Sequence, residues 1–171
     1  MLFREKRFSM QYSVAFVPDT KSLYILTIPT LSLCEEKMNN DTLIDEYDPT
    51  SILPVKCSSL VAHQCDTVYR EFTVAINKVV LPIKPDFKWD VFEKQILSSV
   101  GRIAKMVTEN VMVETGGSSV IVFGVDVVLD QEMKIHVTEL NAKCSLPSMD
   151  ALKGVVGLAL GQGSDKFVKV L

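Results

Sequence analysis

Three polar residues stand out near the C-terminal end of the sequence because their surroundings give them little reason to be there. Asp126 lies within Phe123-Gly124-Val125-Asp126-Val127-Val128-Leu129-Asp130, and Glu139 and Asn141 close Lys134-Ile135-His136-Val137-Thr138-Glu139-Leu140-Asn141. Two β-branched, apolar runs flank the polar Gln131-Glu132-Met133, which is the pattern of a β-hairpin. With the turn centred on Gln131 and Glu132, Asp130 pairs with Met133 and Asp126 falls opposite Val137. Side chains alternate between faces along a strand. Asp126, Val137, Glu139 and Asn141 then share one face, with Asp126 and Glu139 as diagonal neighbours roughly 7–8 Å apart. Two carboxylates on a mostly apolar face repel and desolvate each other. A divalent cation relieves both effects. Carboxylate and amide oxygens are hard ligands suited to Mg²⁺, which keeps further positions for water and phosphate. The plainer alternative places one carboxylate in solvent at the sheet edge and makes Asn141 the start of a turn.

The elements that must carry this hairpin are legible in part. Ser9 to Val17 and Leu23 to Thr27 read as strands joined by the turn Pro18-Asp19-Thr20-Lys21, and Thr30 to Cys34 as a further short strand. Glu35 to Lys56 is polar and reads as a long irregular connection. Cys65 to Val79 favours a helix. Asp90 to Asn110 is the clearest helix: Asp90 and Glu93 form a capping-box pattern, and Phe92, Ile96, Val100, Ile103, Ala104 and Val107 recur at helical spacing. Thr115-Gly116-Gly117-Ser118-Ser119 lacks the spacing of a phosphate-binding loop and reads as a turn. Met149 to Leu160 reads as a closing helix, and 161–171 as a frayed tail. Strands, long connection, helix, hairpin and helix, without a βαβ alternation, predict an α+β fold. A single domain over 1–171 would place an antiparallel sheet under covering helices.

Bulk properties narrow the function classes. The 171 residues suffice for one domain with a real core, and 47% hydrophobic with 23% charged residues is ordinary for a soluble protein. A net charge of −3 points away from nucleic acid. No apolar run approaches the length of a membrane helix, and Met1 to Arg7 has no signal-peptide core. Cys34, Cys57, Cys65 and Cys144 are irregularly spaced. Cys57, His63 and Cys65 lie near one another but lack the paired spacing of structural zinc. Idle thiols in a reducing compartment are the expectation.

Phe123-Gly124-Val125-Asp126 and Glu139-Leu140-Asn141 resemble, in type and spacing, the C-terminal metal-binding segment of the tubulin–tyrosine ligase family, a branch of the ATP-grasp ligases. Tyr47-Asp48-Pro49 and Pro85-Asp86-Phe87-Lys88-Trp89 look like segments of a divergent member of that family. Arg7-Phe8-Ser9-Met10-Gln11 looks like its Lys-Phe-Asp-x-Arg segment. The resemblance implies the C-terminal subdomain of an ATP-grasp fold, the cofactors ATP and Mg²⁺, and tubulin or microtubules as partner in a cytoplasmic, cytoskeletal setting. The reaction implied joins an amino acid to a tubulin carboxylate through an acyl-phosphate. Asp126, Glu139 and Asn141 would hold the metal, and Arg7 would contact the nucleotide.

Departures from the family pattern are equally specific. Ser9 and Gln11 replace Asp and Arg, and Leu31-Ser32-Leu33-Cys34 lacks an expected arginine. Val61-Ala62-His63 stands where the family has a Thr-Asn-His-like segment. Arginine handles phosphate and carboxylate by bidentate donation, which Gln and Leu do not reproduce. The resemblance begins inside the family's domain, so the adenine-binding first half of the ATP site is expected to be absent. Three readings follow: a ligase-like domain portion with reduced or no activity, a non-catalytic tubulin- or partner-binding module, and an unrelated α+β domain.

Overall fold

Phe8, Met10, Tyr12, Val14 and Phe16 alternate with Ser9, Gln11, Ser13, Ala15 and Val17. A strand sends the two sets to opposite faces. In the computed structural model the first set is buried, with Met10, Tyr12 and Val14 fully inaccessible. The structure describes residues 2–3, 6–34, 57–59, 65–82, 84–110, 120–130, 132–144 and 146–170. In chain order these form β1 (Leu2–Phe3), β2 (Lys6–Val17), a 3-10 turn (Pro18–Thr20), β3 (Ser22–Leu26), β4 (Thr30–Cys34) and β5 (Cys57–Ser59). Then come α1 (Cys65–Val80), α2 (Trp89–Asn110), β6 (Ile121–Leu129), β7 (Ile135–Asn141), α3 (Met149–Ala159) and β8 (Phe167–Lys169).

The fold is α+β, an antiparallel sheet covered by helices, organised about β2. One edge of β2 pairs with β4 along Phe8–Gln11 and then with β3 along Val14–Val17. The other edge pairs with β6 over Met10–Phe16, and β7 extends the sheet beyond β6. β5 and β8 flank β4 and β3. The even-numbered face of β2 packs with Phe123, Val125, Val127 and Leu129 of β6 against α1 and α2. Phe72, Ile76 and Val80 supply the apolar face of α1; Phe92, Ile96, Val100 and Ala104 supply that of α2. The opposite face carries a smaller apolar cluster in which Ala15 and Leu26 meet Ala151 and Leu158 of α3 and Phe167 of β8. That cluster occupies the Ala15 end of β2, so α3 roofs one end of this face and the polar residues lie at the other.

Two local expectations are corrected. Helix α2 begins at Trp89, and the Phe92 amide donates to the Lys88 carbonyl at 3.1 Å, so Asp90 sits in the first turn and does not cap it. There it sets negative charge against the positive end of the helix. Where a frayed tail is expected over 161–171, the described residues 161–170 form a turn and a strand. Gly161, at φ 70°, ends α3 as the Gln162 amide donates to the Gly157 carbonyl at 2.9 Å. β8 then pairs with β3, and Phe167 is 5% exposed. One buried ring in a three-residue strand leaves almost no periodic signal. Ser148, before α3, accepts from the Ala151 amide at 3.1 Å as a true N-cap. The connection 35–56, the Val61-Ala62-His63 segment and Thr115–Ser119 lie outside the described residues. So do the side chains of Cys57 and Cys65, which the zinc reading weighed.

If β8 is an integral part of the core, Phe167→Ala should destabilise the protein by about 3 kcal/mol, as buried phenylalanine truncations do. Urea unfolding measures this. A loss under about 1 kcal/mol would show that β8 contributes little to the packing.

Candidate functional site

The β6–β7 hairpin is one residue wider at its turn than the two-residue turn predicts. Leu129 pairs with Ile135, Val128 with His136 and Val127 with Val137. Continued unchanged, this register would set Asp126 opposite Thr138. Instead a β-bulge intervenes between Val127 and Asp126, and Asp126 pairs with Glu139, Val125 with Leu140 and Gly124 with Asn141. Thr138 is the extra residue, and its hydroxyl reaches the Asp126 carbonyl at 3.4 Å. Residues directly opposite share a face. Asp126, Glu139 and Asn141 therefore lie on one face, as their types suggested. Two details differ from the expectation: Asp126 is opposite Glu139, not Val137, and Val137 packs on the helix-covered core face. The bulge separates Val137 from Glu139 and frees each to take its own side.

The hydrogen bonds define the site. Asn141 Nδ2 donates to Asp126 Oδ2 at 2.8 Å, and Gln11 Nε2 donates to Asp126 Oδ1 at 2.9 Å. Gln11 is the register partner of Asp126 across the β2–β6 ladder. Both carboxylate oxygens are thus held by neutral amides. Burial raises the Asp126 carboxyl above the ordinary Asp range. The Gln11 hydrogen bond opposes that rise, the nearby Glu139 charge adds to it, and the Asn141 hydrogen bond again opposes it. Glu139 itself is exposed. Cys144, on the link from β7 to α3, lies over Gly124, and burial pushes its thiol up; Ser13 works against that shift and the Asp126 charge adds to it. A raised thiol is a poor nucleophile at neutral pH. A second acidic residue at the hairpin tip has a different task. Asp130 accepts from the amides of Glu132 at 2.9 Å and Lys134 at 2.8 Å, and His136 Nε2 lies 2.8 Å from its other oxygen. It organises the turn.

Among the sequence-derived candidates, Asp126, Glu139 and Asn141 come together. Arg7 lies in β2 and pairs with Leu2; its side chain is outside the described residues. The trio does not line either of two clefts beside α3. One of about 700 Å³, which includes Lys153 and Lys166, and one of about 450 Å³, which includes Tyr24, both adjoin α3. Among the described residues no three His, Cys, Asp or Glu side chains gather as a metal cluster, so any cation here would rest on two carboxylates and an amide. Sequence reading missed the partnership of Gln11 with Asp126 and the proximity of Ser13, Gly124 and Cys144. The available signal was parity: Gln11 and Ser13, with Ser9, are polar residues in the non-core set of β2.

The raised Asp126 carboxyl makes a signed prediction. The folded chain holds that proton more tightly than the unfolded chain. The resulting stability is fully present below the ordinary Asp range and is lost as pH rises through the folded value. Wild type should therefore lose stability relative to Asp126→Asn as pH rises from about 3 to about 7, as read by urea unfolding. A pH-independent difference would contradict the assigned environment. No helix among the described residues is long and apolar enough to cross a membrane. No protein-family model and no curated protein matches the chain.

Proposed function

We propose that this chain is a portion of a tubulin–tyrosine ligase-like ATP-grasp domain. Its carboxylate face holds Mg²⁺ with nucleotide phosphate, and its amino-acid ligation is reduced or lost. One observation carries the reading: a β-bulge gathers Asp126, Glu139 and Asn141 on a single sheet face. The donor set fits a hard cation. Each Asp126 oxygen accepts one amide hydrogen bond and retains a further lone pair. Asn141 spends its N–H on Asp126 and keeps its carbonyl oxygen as a ligand. Two carboxylates plus phosphate and water are a usual environment for Mg²⁺. When bound, the ion supplies neutralisation of phosphate charge. Asp126 and Glu139 would hold it, with Asn141 as third ligand and orienting donor.

The same residues argue for weak or absent ligation. Gln11 is uncharged, and its amide is engaged with Asp126, so it does not offer the bidentate grip on phosphate or carboxylate that arginine gives. Ser9 and Ala62 likewise stand where the resemblance implies polar or charged groups. Losing one preorganised contact of this kind costs ~10²–10³ in rate. Partner binding is more tolerant, because it needs no aligned transition state. Retained association with tubulin, in the cytoplasm and near the cytoskeleton, belongs to this proposal. A reading as a binding module alone draws on the exposed apolar residues Met149, Leu152, Val156 and Leu160, which recur at helical spacing along and just past α3.

Two outcomes are expected. Mg²⁺ or Mn²⁺ with ATP should raise the melting temperature, and Glu139→Gln should abolish the rise. A ligand bound only by the folded state stabilises by ~2.7 kcal/mol at a hundredfold excess over Kd. Identical melting curves for the two proteins would argue against the cation site. In the second experiment the chain is incubated with ATP, Mg²⁺, labelled tyrosine or glutamate, and microtubules. Co-sedimentation without incorporation is expected. Incorporation that disappears with Asp126→Asn would show a working ligase, and neither incorporation nor co-sedimentation would remove the tubulin connection.

A further inference from the structure

The C-terminal end of α3 borders a cleft of about 450 Å³ whose walls are electrostatically one-sided. The 3-10 turn supplies Asp19, β2 and β3 supply Val17 and Tyr24, and the end of α3 supplies Leu158, Ala159 and Leu160. No lysine or arginine lines it. Asp19 is exposed and has no ion-pair partner among the described residues. The amides of Leu160, Gly161 and Gln162 turn back to Val156, Leu158 and Gly157. The Ala159 and Leu160 carbonyls accept no backbone hydrogen bond among the described residues. The last turn of α3 also carries no basic residue. A helix end of this kind holds roughly half a negative charge. Leu160 is 66% exposed and closes a stripe with Met149, Leu152 and Val156. That stripe lies on the side of α3 opposite the buried Ala151, Gly154 and Leu158.

We infer that this cleft and the stripe leading to it dock a basic amphipathic segment of a partner protein, its arginine or lysine head in the cleft and its apolar residues along α3. Charge complementarity decides the occupant. Asp19 and the carbonyl end of α3 accept N–H donors and repel a carboxylate. Tyr24 adds an aromatic wall, which favours a cationic head over a neutral one. Val17 and Leu160 offer apolar surface to the methylene stem that lysine and arginine bury. From Met149 to Leu160 the stripe is ~16 Å long, which matches three turns of a partner helix. Neither cleft nor stripe includes Asp126, Glu139 or Asn141, so docking here is independent of the cation reading.

The test is selection of random peptides displayed on phage against the full chain, followed by titration of the enriched peptide against variants. Enriched sequences should pair an arginine or lysine with apolar residues at helical spacing. Selection against Asp19→Lys should lose that basic residue. In titration by fluorescence anisotropy, Asp19→Asn should weaken the enriched peptide about fivefold, the upper range for an exposed ion pair. Leu160→Ser should weaken it about tenfold, as loss of one apolar anchor does. Both side chains are exposed, so both variants should melt like wild type. Leu152→Ser, farther along the stripe, gives a second reading if Leu160→Ser fails to fold. Acidic or uncharged enriched sequences, no enrichment, or a basic peptide indifferent to Asp19→Asn and Leu160→Ser would overturn the assignment. Self-association of wild type that Leu160→Ser abolishes, read by sedimentation, would give the stripe to a second copy and overturn it equally.

Discussion

The rule that a strand's side chains alternate between faces governs this molecule, and one extra residue reconciles it with the sequence of β7. In the hairpin register set by Leu129 and Ile135, Val137 belongs on the core face beside Val127. Strict alternation would then carry Glu139 to the same face, under α1 and α2, where an unpaired carboxylate is strongly unfavourable. The bulge at Thr138 changes the parity once. Apolar Ile135 and Val137 stay with the core, and Glu139 emerges beside Asp126. The same step carries Asn141 opposite Gly124, within hydrogen-bonding reach of Asp126.

From that register follows the chemical character of the outer face. β2 contributes Gln11 opposite Asp126 and Ser13 opposite Gly124. α3 closes over the Ala15 end of this face, where small and apolar residues meet Ala151, Leu158 and Phe167. The link from β7 crosses Gly124 at Cys144 before entering α3. Asp126 is therefore half-buried between neutral amides, while Glu139 remains open to solvent. Partial burial and a neighbouring like charge both disfavour the ionised carboxyl. A divalent cation removes that penalty, which is the link between the geometry and the proposed function.

Much of this was legible in the sequence because it depended on local periodicity. The alternation in β2, the helical stripe from Phe92 to Val107 and the polar intrusions Asp126, Glu139 and Asn141 each announce themselves within about twenty residues. The bulge was not legible, since Thr138 is an ordinary strand residue and the extra count appears only once both partners are known. The sequence places Asp126 and Glu139 on one face through a register that differs from the observed one. Diagonal neighbours and direct partners occupy the same face, so the two registers agree on that point. In the sequence Gln11 shows only the loss of a basic residue, whereas its bond to Asp126 spans 115 residues and depends on the β2–β6 pairing. β8 escaped notice because its anchoring depends on Phe167 meeting Leu26 and α3, a long-range contact with no local signature.

The central claim is that one sheet face, built by the bulge, binds a hard divalent cation through Asp126, Glu139 and Asn141. Paramagnetic broadening by Mn²⁺ in the amide ¹H–¹⁵N spectrum tests it most directly, because the effect falls steeply with distance from the ion. At substoichiometric Mn²⁺, the signals of Gly124 to Asp126 and of Glu139 to Asn141 should broaden first, with Gln11 and Cys144 close behind. Broadening centred on other acidic residues, such as Asp150 or Asp165 beside α3, or no selective broadening at all, would contradict it.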